Sequence, residues 1–484
     1  MLESTKVVSA HEMARIEKLS IDAGASGQVY MDNAARAIAK VVESIATHHH
    51  LSSNVTLLVG KGNNGGDALA VGCYLLEKNC SLKAIISGEL SPLGQKYLQR
   101  YTALGGAVIE TLPNEGIVLD GLFGTGLSKG IEGPTAQLID QVNASELPVI
   151  SIDIPSGLDG NTGIVHGTCI RADYTLYLGM PKVGCFLERG MDYTGQLIGC
   201  DFGLDQKYVD ESLACGYLLD EARMPELLPK IERTRHKYEA GYVVAIAGSP
   251  GMPGAATMAC TSAYRMGAGI VRLFHPEGMD GEFVQAPQEL VRSIISEEAI
   301  FEEMKRARAL LVGPGMGRSE GAGALFEKIV SSLSMPTIID ADGLYWLALH
   351  EQMFEAPVVL TPHHKEMEAL LGGPLSLEAC QTYANRSNAT IVLKGAPTWI
   401  FHPNSPALIM DRGTPGLATA GTGDVLAGMI AALLAQGLEP RVAAALGSWL
   451  HGICGERIAL DKTEYSMMAT DLIEALPSLL SEII

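Results

Sequence analysis

The segment Thr414-Pro-Gly-Leu-Ala-Thr-Ala-Gly-Thr-Gly-Asp424 combines glycines with an acidic residue just before an uncharged run. Gly421 and Gly423 allow backbone N–H groups to converge on an anion, and the positive end of a following helix would point to the same place. The run 425–436 ends at Gly437 and predicts a buried helix. Asp424 therefore falls on the first turn, where a carboxylate can act as a base toward a hydroxyl that attacks a phosphoryl group. The alternative is that Asp424 only caps the helix.

The length and the charge of the chain limit its organisation and its partners. At 484 residues the chain is too long for a single core, and two domains, 1–213 and 214–484, fit the pattern described below. A formal net charge of −20 argues against a nucleic acid or an anionic membrane as partner. Nine scattered cysteines without a Cys-x-x-Cys pair, and no signal peptide or membrane span, predict a cytoplasmic protein.

The first half of the chain alternates buried strands with helices. Residues 54–60 are predicted to form a strand that leads through the glycine-rich loop 61–67 into a helix over 68–76. The same alternation follows in strands 81–87, 116–120 and 149–153 and helices 91–104 and 135–143. Repeated units of this kind predict a Rossmann-like, doubly wound parallel sheet with helices on both faces.

Polar side chains follow three of these strands. They are Asn64 and Asp67, then Asp120, then Asp153 and Ser156, each beside glycines or a proline turn. The carboxyl ends of parallel strands open onto one edge, so these groups should gather round one crevice. Oxygen donors without thiol or imidazole favour a hard cation, if an ion binds. Asx residues and glycines also form ordinary turns, which is the simpler reading of any one loop.

Three segments of this half resemble the signature segments of the NAD(P)HX epimerase family. They are Asn63-Asn-Gly-Gly-Asp67, Asp120-Gly-Leu-Phe-Gly-Thr-Gly-Leu127 and Ser151-Ile-Asp-Ile-Pro-Ser-Gly-Leu-Asp-Gly160, and the similarity covers roughly residues 10–210. The resemblance implies epimerisation of hydrated NAD(P)H at C6 of the nicotinamide ring. It also implies a potassium ion held by Asn64, Asp120 and Ser156.

By the same resemblance, two loops and one aspartate would bind the hydrated cofactor. The loop residues are Asn63, Asn64, Gly65, Gly66, Asp67, Gly124, Thr125, Gly126, Leu127, Ser128, Lys129 and Gly130. Asp153 would contact the reacting ring. Loss and return of a hydroxyl at C6 needs an acid/base, and either Asp153 or Asp67 could serve.

The second half contains another series of strands with polar loops after them. The predicted strands are 241–248, 269–274, 309–313, 337–340, 358–361 and 390–394, with a helix over 255–266. Five loops resemble the ADP- or ATP-dependent NAD(P)HX dehydratase family, which has a ribokinase-like α/β fold. They are Gly313-Pro-Gly-Met-Gly317, Asp340-Ala-Asp-Gly343, Thr361-Pro-His-His-Lys-Glu366, Lys394-Gly-Ala-Pro-Thr398 and Ala420-Gly-Thr-Gly-Asp424.

This second resemblance covers roughly residues 220–484 and implies a second set of site residues. The adenine nucleotide, ADP or ATP with Mg²⁺, would bind to Lys394, Gly395, Ala396, Pro397, Thr398 and Gly423. The hydrated dinucleotide would face Ala255, Gly317, His363 and Asp424. The chain departs from the family pattern at Lys365, before Glu366, and at Tyr238, where glycine is common in the family.

Together the two resemblances imply a bifunctional enzyme that repairs NAD(P)HX. The first domain would interconvert the R and S epimers, and the second would dehydrate the S form with the phosphoryl energy of ADP or ATP. A kinase of a small-molecule hydroxyl, joined to a non-catalytic scaffold that binds a nucleotide, is the alternative. We expect small-molecule substrates and a homo-oligomer. The preference for ADP or ATP, and for NADHX or NADPHX, stays open.

Overall fold

The computed structural model describes residues 2–49, 54–127, 129–350 and 352–484. It divides the chain into two compact units: one contains residues 5–216, and the other contains residues 217–484 together with the first few residues, up to Ser4. Each unit is an α/β structure built around its own sheet. The predicted fold class is confirmed, because helices alternate with mainly parallel strands in both units.

The unit of residues 5–216 is built on a parallel sheet of seven strands. The first strand of the chain, β1 (Glu3–Val7), is an edge strand of the larger sheet described below. The seven strands of this unit are β2 (Asn54–Gly60), β3 (Ser81–Ser87), β4 (Ala107–Val108), β5 (Ile117–Gly121), β6 (Val149–Ile152), β7 (Tyr174–Leu178) and β8 (Gln196–Cys200). Their spatial order is β4-β3-β2-β5-β6-β7-β8. The helices are α1 (Ala10–Asp22), α2 (Gly27–His48), α3 (Asn63–Glu77), α4 (Pro92–Ala103), α5 (Gly133–Ala144), α6 (Met191–Thr194) and α7 (Gln206–Glu211).

The strand order places a crevice between β2 and β5. The chain passes outward from β2 to β3 and β4, then returns to start β5 on the other side of β2. The connections that leave the carboxyl ends of β2 and β5 therefore run in opposite directions along the sheet. Ligands of doubly wound sheets bind at such a switch point between two neighbouring strands. Helix α3 begins there at Asn63, five residues earlier than the predicted helix. The early start needs glycine, because a Cβ on Gly65 would lie 1.9 Å from the carbonyl oxygen of Gly60.

The second unit contains the sheet of eleven strands. Its further strands are β9 (Gly216–Leu219), β10 (Tyr242–Ile246), β11 (Ile270–His275), β12 (Val291–Ile294), β13 (Ala309–Val312), β14 (Thr337–Ile339), β15 (Val358–Leu360), β16 (Ala389–Leu393), β17 (Thr398–Phe401) and β18 (Leu408–Met410). The spatial order is β1-β9-β18-β17-β16-β15-β14-β13-β10-β11-β12. From β12 to β16 neighbouring strands are parallel, whereas β16, β17 and β18 pair antiparallel.

The helices of this unit are α8 (Pro253–Arg265), α9 (Glu297–Met304), α10 (Glu320–Val330), α11 (Asp342–Leu347), α12 (His364–Leu371), α13 (Leu377–Ser387), α14 (Thr422–Ala435), α15 (Pro440–Lys462) and α16 (Ala469–Ile483). The predicted buried helix is α14, whose residues from Val425 onward are all buried. Gly428 permits close packing against α8, because a Cβ there would lie 1.9 Å from the Ala259 carbonyl oxygen. In the part of the chain that the structure describes, no helix is both long and apolar enough to cross a bilayer.

Candidate active sites

The crevice of the first unit is centred on the buried carboxylate of Asp120, in β5. Four donors surround it: Leu122 N at 3.1 Å, Ser151 Oγ at 2.8 Å, Ser156 N at 2.9 Å and Ser156 Oγ at 2.6 Å. Burial raises the pKa of Asp120, although these hydrogen bonds oppose the rise. The carboxylate has no Lys, Arg or His partner within the described residues. A buried charge of this kind requires compensation, which a bound cation can supply.

Asn64 and Ser156 meet Asp120 around the backbone of Phe123. Asn64 Nδ2 donates to the carbonyl oxygens of Phe123 (2.9 Å) and Ile152 (3.3 Å), and Phe123 N donates to Ser156 Oγ at 2.8 Å. The three side chains predicted to hold an ion thus lie together at the switch point. One carboxylate with neutral amide and hydroxyl oxygens suits a large monovalent ion. Over the described ranges, no group of three or more His, Cys, Asp or Glu side chains forms a metal cluster.

A cavity of about 970 Å³ opens beside these residues, at the upper end of the range of small-molecule sites. Most of the predicted substrate residues line it: Asn63, Asn64, Asp67, Gly124, Thr125, Gly126, Leu127, Lys129 and Gly130. Gly65 and Gly66 do not line it, because in the first turn of α3 they face Gly60 and Met31. Ser128 lies outside the described residues.

The ionisable side chains of Glu17, Asp67 and Lys182 line this cavity, and Asp153, which was predicted to contact the ring, lies next to them but not in the lining. Asp153, at a positive φ of 67° just after β6, forms a short ion pair with Lys182 and accepts a hydrogen bond from Leu178 N at 3.0 Å. Burial raises the pKa of Asp67 well above its usual range, and the charges of Asp153 and Glu17 add to the rise. Burial also raises the pKa of Glu17.

The sequence analysis missed Lys182 and Glu17. Strand β7 was not predicted, and its position would have indicated Lys182. This lysine follows the end of β7 by four residues, just as polar side chains follow the other strands that end at the crevice. Glu17 lies on α1 and carries no comparable signal, because an acidic residue on a surface helix is ordinarily solvated.

In the second unit, Asp424 lies in the first turn of α14 without capping it. The residue at the N-cap is Gly421, with a φ of 95° that favours glycine, and no side chain among the described residues caps this helix. The Asp424 carboxyl group makes no hydrogen bond with any residue that the structure describes. Burial raises its pKa to about 7, and the negative charge of Asp340 contributes. This group can therefore change its charge near neutral pH.

Lys394, at the end of β16, lies beside the N-terminus of α14. A Cβ on Gly423 would lie 3.3 Å from Lys394 Nζ. The amine is 2.9 Å from Asp340 Oδ1 and 3.9 Å from Glu366 Oε2. Burial opposes its charge, but Asp340 and Glu366 outweigh that effect and raise the pKa of Lys394. Lys394, Gly423 and Asp424 thus form one group that combines a cation, a helix N-terminus and a carboxyl group.

Of the other predicted residues of this unit, His363 contacts the group through Lys394, and Gly317 and Ala255 have other partners. His363 caps α12 in a reciprocal arrangement with Glu366, through hydrogen bonds of 3.2 Å and 2.8 Å, and its backbone forms a bridge with Lys394. Gly317 N donates to Asp342 Oδ2 at 2.9 Å. Ala255, in the first turn of α8, lies close to Gly315, whose added Cβ would be 3.1 Å from the Ala255 methyl group. Gly395, Ala396 and Pro397 form the turn from β16 into β17, with a cis Ala396–Pro397 bond, and Thr398 is the first residue of β17.

The two departures from the family pattern lie outside this group. Lys365 is exposed on α12, next to Glu366. Tyr238 precedes β10 and accepts a hydrogen bond of 2.6 Å from Arg306, which precedes β13. Both residues therefore lie at the amino ends of these parallel strands, whereas Lys394 follows the carboxyl end of β16.

Comparison with known proteins follows the same division of the chain. The family model described as NAD(P)H-hydrate dehydratase matches residues 243–478, and the model described as YjeF-related protein N-terminus matches residues 27–184. A ribokinase-like superfamily protein from Enterococcus faecalis V583 superposes with a TM-score of 0.51 at 28% identity, covering 55% of this chain and 95% of that protein.

Full-length relatives carry both parts. The chain is 34% identical to the bifunctional NAD(P)H-hydrate repair enzyme Nnr of Moorella thermoacetica, over 98% of this chain and 96% of the relative. The enzyme of the same description from Coxiella burnetii is 30% identical over 97% and 98% of the two chains, and that of Escherichia coli is 32% identical over 87% and 84%. This chain therefore belongs to the family of bifunctional NAD(P)H-hydrate repair enzymes.

Proposed function

We propose that the two units carry out successive steps in the repair of hydrated NAD(P)H. The first unit interconverts the R and S epimers at C6, and the second dehydrates the S epimer at the expense of ADP or ATP. The observation that carries the proposal is the position of Asp424: a carboxyl group that no described residue hydrogen-bonds, at a helix N-terminus, beside Lys394. That combination can remove a proton from a hydroxyl while it stabilises negative charge on a phosphoryl group.

In the second unit, Asp424 takes the proton of the C6 hydroxyl as the hydroxyl oxygen attacks the terminal phosphorus of the nucleotide. The bond from that phosphorus to the bridging oxygen breaks, and AMP leaves from ADP, or ADP from ATP. Lys394 and the N-terminal N–H groups of α14 stabilise the charge on the transferred phosphoryl group. The hydroxyl becomes phosphate, a better leaving group, and the ring nitrogen lone pair expels it. Loss of a proton from C5 to solvent then forms the C5–C6 double bond and returns the electron pair to nitrogen. Glu366, beside Lys394 with a side chain 22% exposed, would hold the Mg²⁺ ion, which neutralises phosphate charge when bound.

In the first unit, the residues around Asp120 would hold potassium. Asn64, Asp120 and Ser156 supply the oxygens, and the buried Asp120 carboxylate without a cationic partner in the described chain supports the assignment. When bound, the ion balances this charge at the base of the cavity. The loops 63–67 and 124–130 would hold the hydrated cofactor above it, with its ring toward Asp153 and Asp67.

The test is the return of reduced-nicotinamide absorbance when purified S or R epimer is mixed with the enzyme and ADP or ATP. The S epimer should be consumed directly. The R epimer should be consumed only as fast as it is epimerised. A small-molecule hydroxyl kinase with a scaffold domain would consume nucleotide with an alcohol substrate and restore no absorbance from either epimer.

A further inference from the structure

Lys182 is a buried cation inside the cavity of the first unit. Its side chain is 1% exposed, and Nζ contacts the Asp153 carboxylate and donates to the Leu178 carbonyl oxygen at 3.0 Å. A buried ammonium group is costly unless it is paired. Asp153 compensates for it, and Leu178 N donates to the same carboxylate oxygen at 3.0 Å. Lys182 and Leu178 N therefore hold one oxygen of the Asp153 carboxylate in place.

Asp67 also lines the cavity, but its charged neighbours are negative. It is 9% exposed, and its carboxyl group makes no hydrogen bond or ion pair with the residues the structure describes. The negative groups Asp153 and Glu17 face it. Two neighbouring carboxyl groups, one paired with a cation and the other facing negative groups, can serve as a base and an acid in one site.

We propose that Lys182 is the positioning residue that assigns the roles of the two aspartates: it keeps Asp153 as the proton acceptor and leaves Asp67 as the proton donor. The inference rests on the proposed epimerase activity of this unit. It also settles which of the two aspartates starts as the acid and which as the base.

The proton movements balance over one epimerisation. Asp67 gives its proton to the C6 hydroxyl oxygen as the C6–O bond breaks, and the ring nitrogen lone pair forms a C6–N double bond. Water leaves. A water molecule then forms the C6–O bond on the opposite face, its proton passes to Asp153, and the electron pair returns to nitrogen. The reverse reaction uses Asp153 as the acid and Asp67 as the base, and one proton moving between them through solvent restores the starting state.

The active enzyme therefore carries one proton on the aspartate pair, which predicts a bell-shaped pH profile. The other charged groups near the pair are few. Glu17 faces both aspartates, and burial raises the pKa of the neighbouring Cys185 thiol to about 12, so this thiol is neutral. Lys61 and Lys129 are exposed residues of the cavity lining.

The experiment measures interconversion of the epimers by chromatography, without nucleotide, as a function of pH. Lys182→Met should move the acidic limb of the profile upward by at least about one pH unit, so the rate on that limb falls about tenfold or more. Lys182→Arg keeps the charge and should keep the limb in place. Lys61→Met is the matched control, because it removes a lysine charge from the same cavity at an exposed position and should leave both limbs unmoved.

A second variant covers the case in which Lys182→Met does not fold. Asp153→Asn combined with Lys182→Met leaves neither charge unpaired, and the small residual rate of epimerisation should no longer rise along the acidic limb. An acidic limb in the wild-type position, in either Lys182→Met or the double variant, would overturn the inference. Dehydration of the S epimer with ADP or ATP reports on the second unit in every preparation. Failure of the wild-type chain to interconvert the epimers would instead refute the proposed function.

Discussion

Replacement of Asp424 by Asn separates the catalytic role of this residue from a structural one. Asn keeps the size and the capping ability of Asp but cannot accept the proton. We expect dehydration of the S epimer to fall by about two to four orders of magnitude, which is the usual contribution of a general base. Nucleotide binding should survive, because Lys394 and the N–H groups of α14 are unchanged.

The raised pKa predicts how the wild-type rate depends on pH. Because burial raises the pKa of Asp424 to about 7, the fraction present as carboxylate falls about tenfold for each pH unit below that value. The kcat/KM for dehydration should therefore rise with pH below about 7 and level off above it. This limb should be absent from the residual activity of Asp424→Asn.

The same shift predicts the sign of a change in stability. Between the ordinary value of 3.8 and about 7, Asp424 keeps its proton in the folded protein and loses it in the unfolded chain. Stability from this group is thus complete below the unfolded pKa and is lost as pH rises through the folded pKa. At about 1.4 kcal/mol per pKa unit the loss has an upper limit of about 4 kcal/mol. Asn does not titrate and avoids this loss. Asp424→Asn should therefore be more stable than the wild type at about pH 8 and equally stable at about pH 4.

Thermal unfolding of the full chain at these two pH values measures the difference in stability between Asp424→Asn and the wild type. The transition to follow is the one that added nucleotide shifts, because it reports on the second unit. A capping role predicts the reverse: a loss of roughly 1 kcal/mol or less and nearly normal turnover. A stable Asp424→Asn protein with more than about a tenth of the wild-type activity would remove Asp424 from the mechanism.

Three further variants test the other assignments. Asp153→Ala should abolish accelerated use of the R epimer and spare dehydration of the S epimer; equal loss of both would show that the activities are coupled. Crystals soaked in rubidium should show an anomalous peak among Asn64, Asp120 and Ser156, and Asp120→Asn should lose it; a peak elsewhere would refute the potassium site. Lys394→Met should weaken nucleotide binding, measured by calorimetry, far more than Lys365→Met, which removes the same charge from an exposed neighbour; equal effects would contradict the assignment of Lys394.

Much of the fold was predictable because central parallel strands are buried on both faces. β2 and β16 are nearly continuous apolar runs and were found. β12 lies at a sheet edge with most of its residues exposed, and β18 has only three residues, so neither has a pattern that stands out. The start of α3 was placed too late, because the Asn and Gly residues of 63–67 ordinarily indicate a turn.

The sequence alone determined the two α/β units, the oxygen donors that follow the strands, and the place of Asp424 on the first turn of a buried helix. These properties depend on local periodicity and on motifs of a few residues. Only the tertiary structure decided the partners of the charged groups, because they lie far apart in the chain: Lys182 is 29 residues from Asp153, and Lys394 is 54 residues from Asp340. The pKa of a buried group depends on its distance from water and from other charges, and only the folded chain defines those distances.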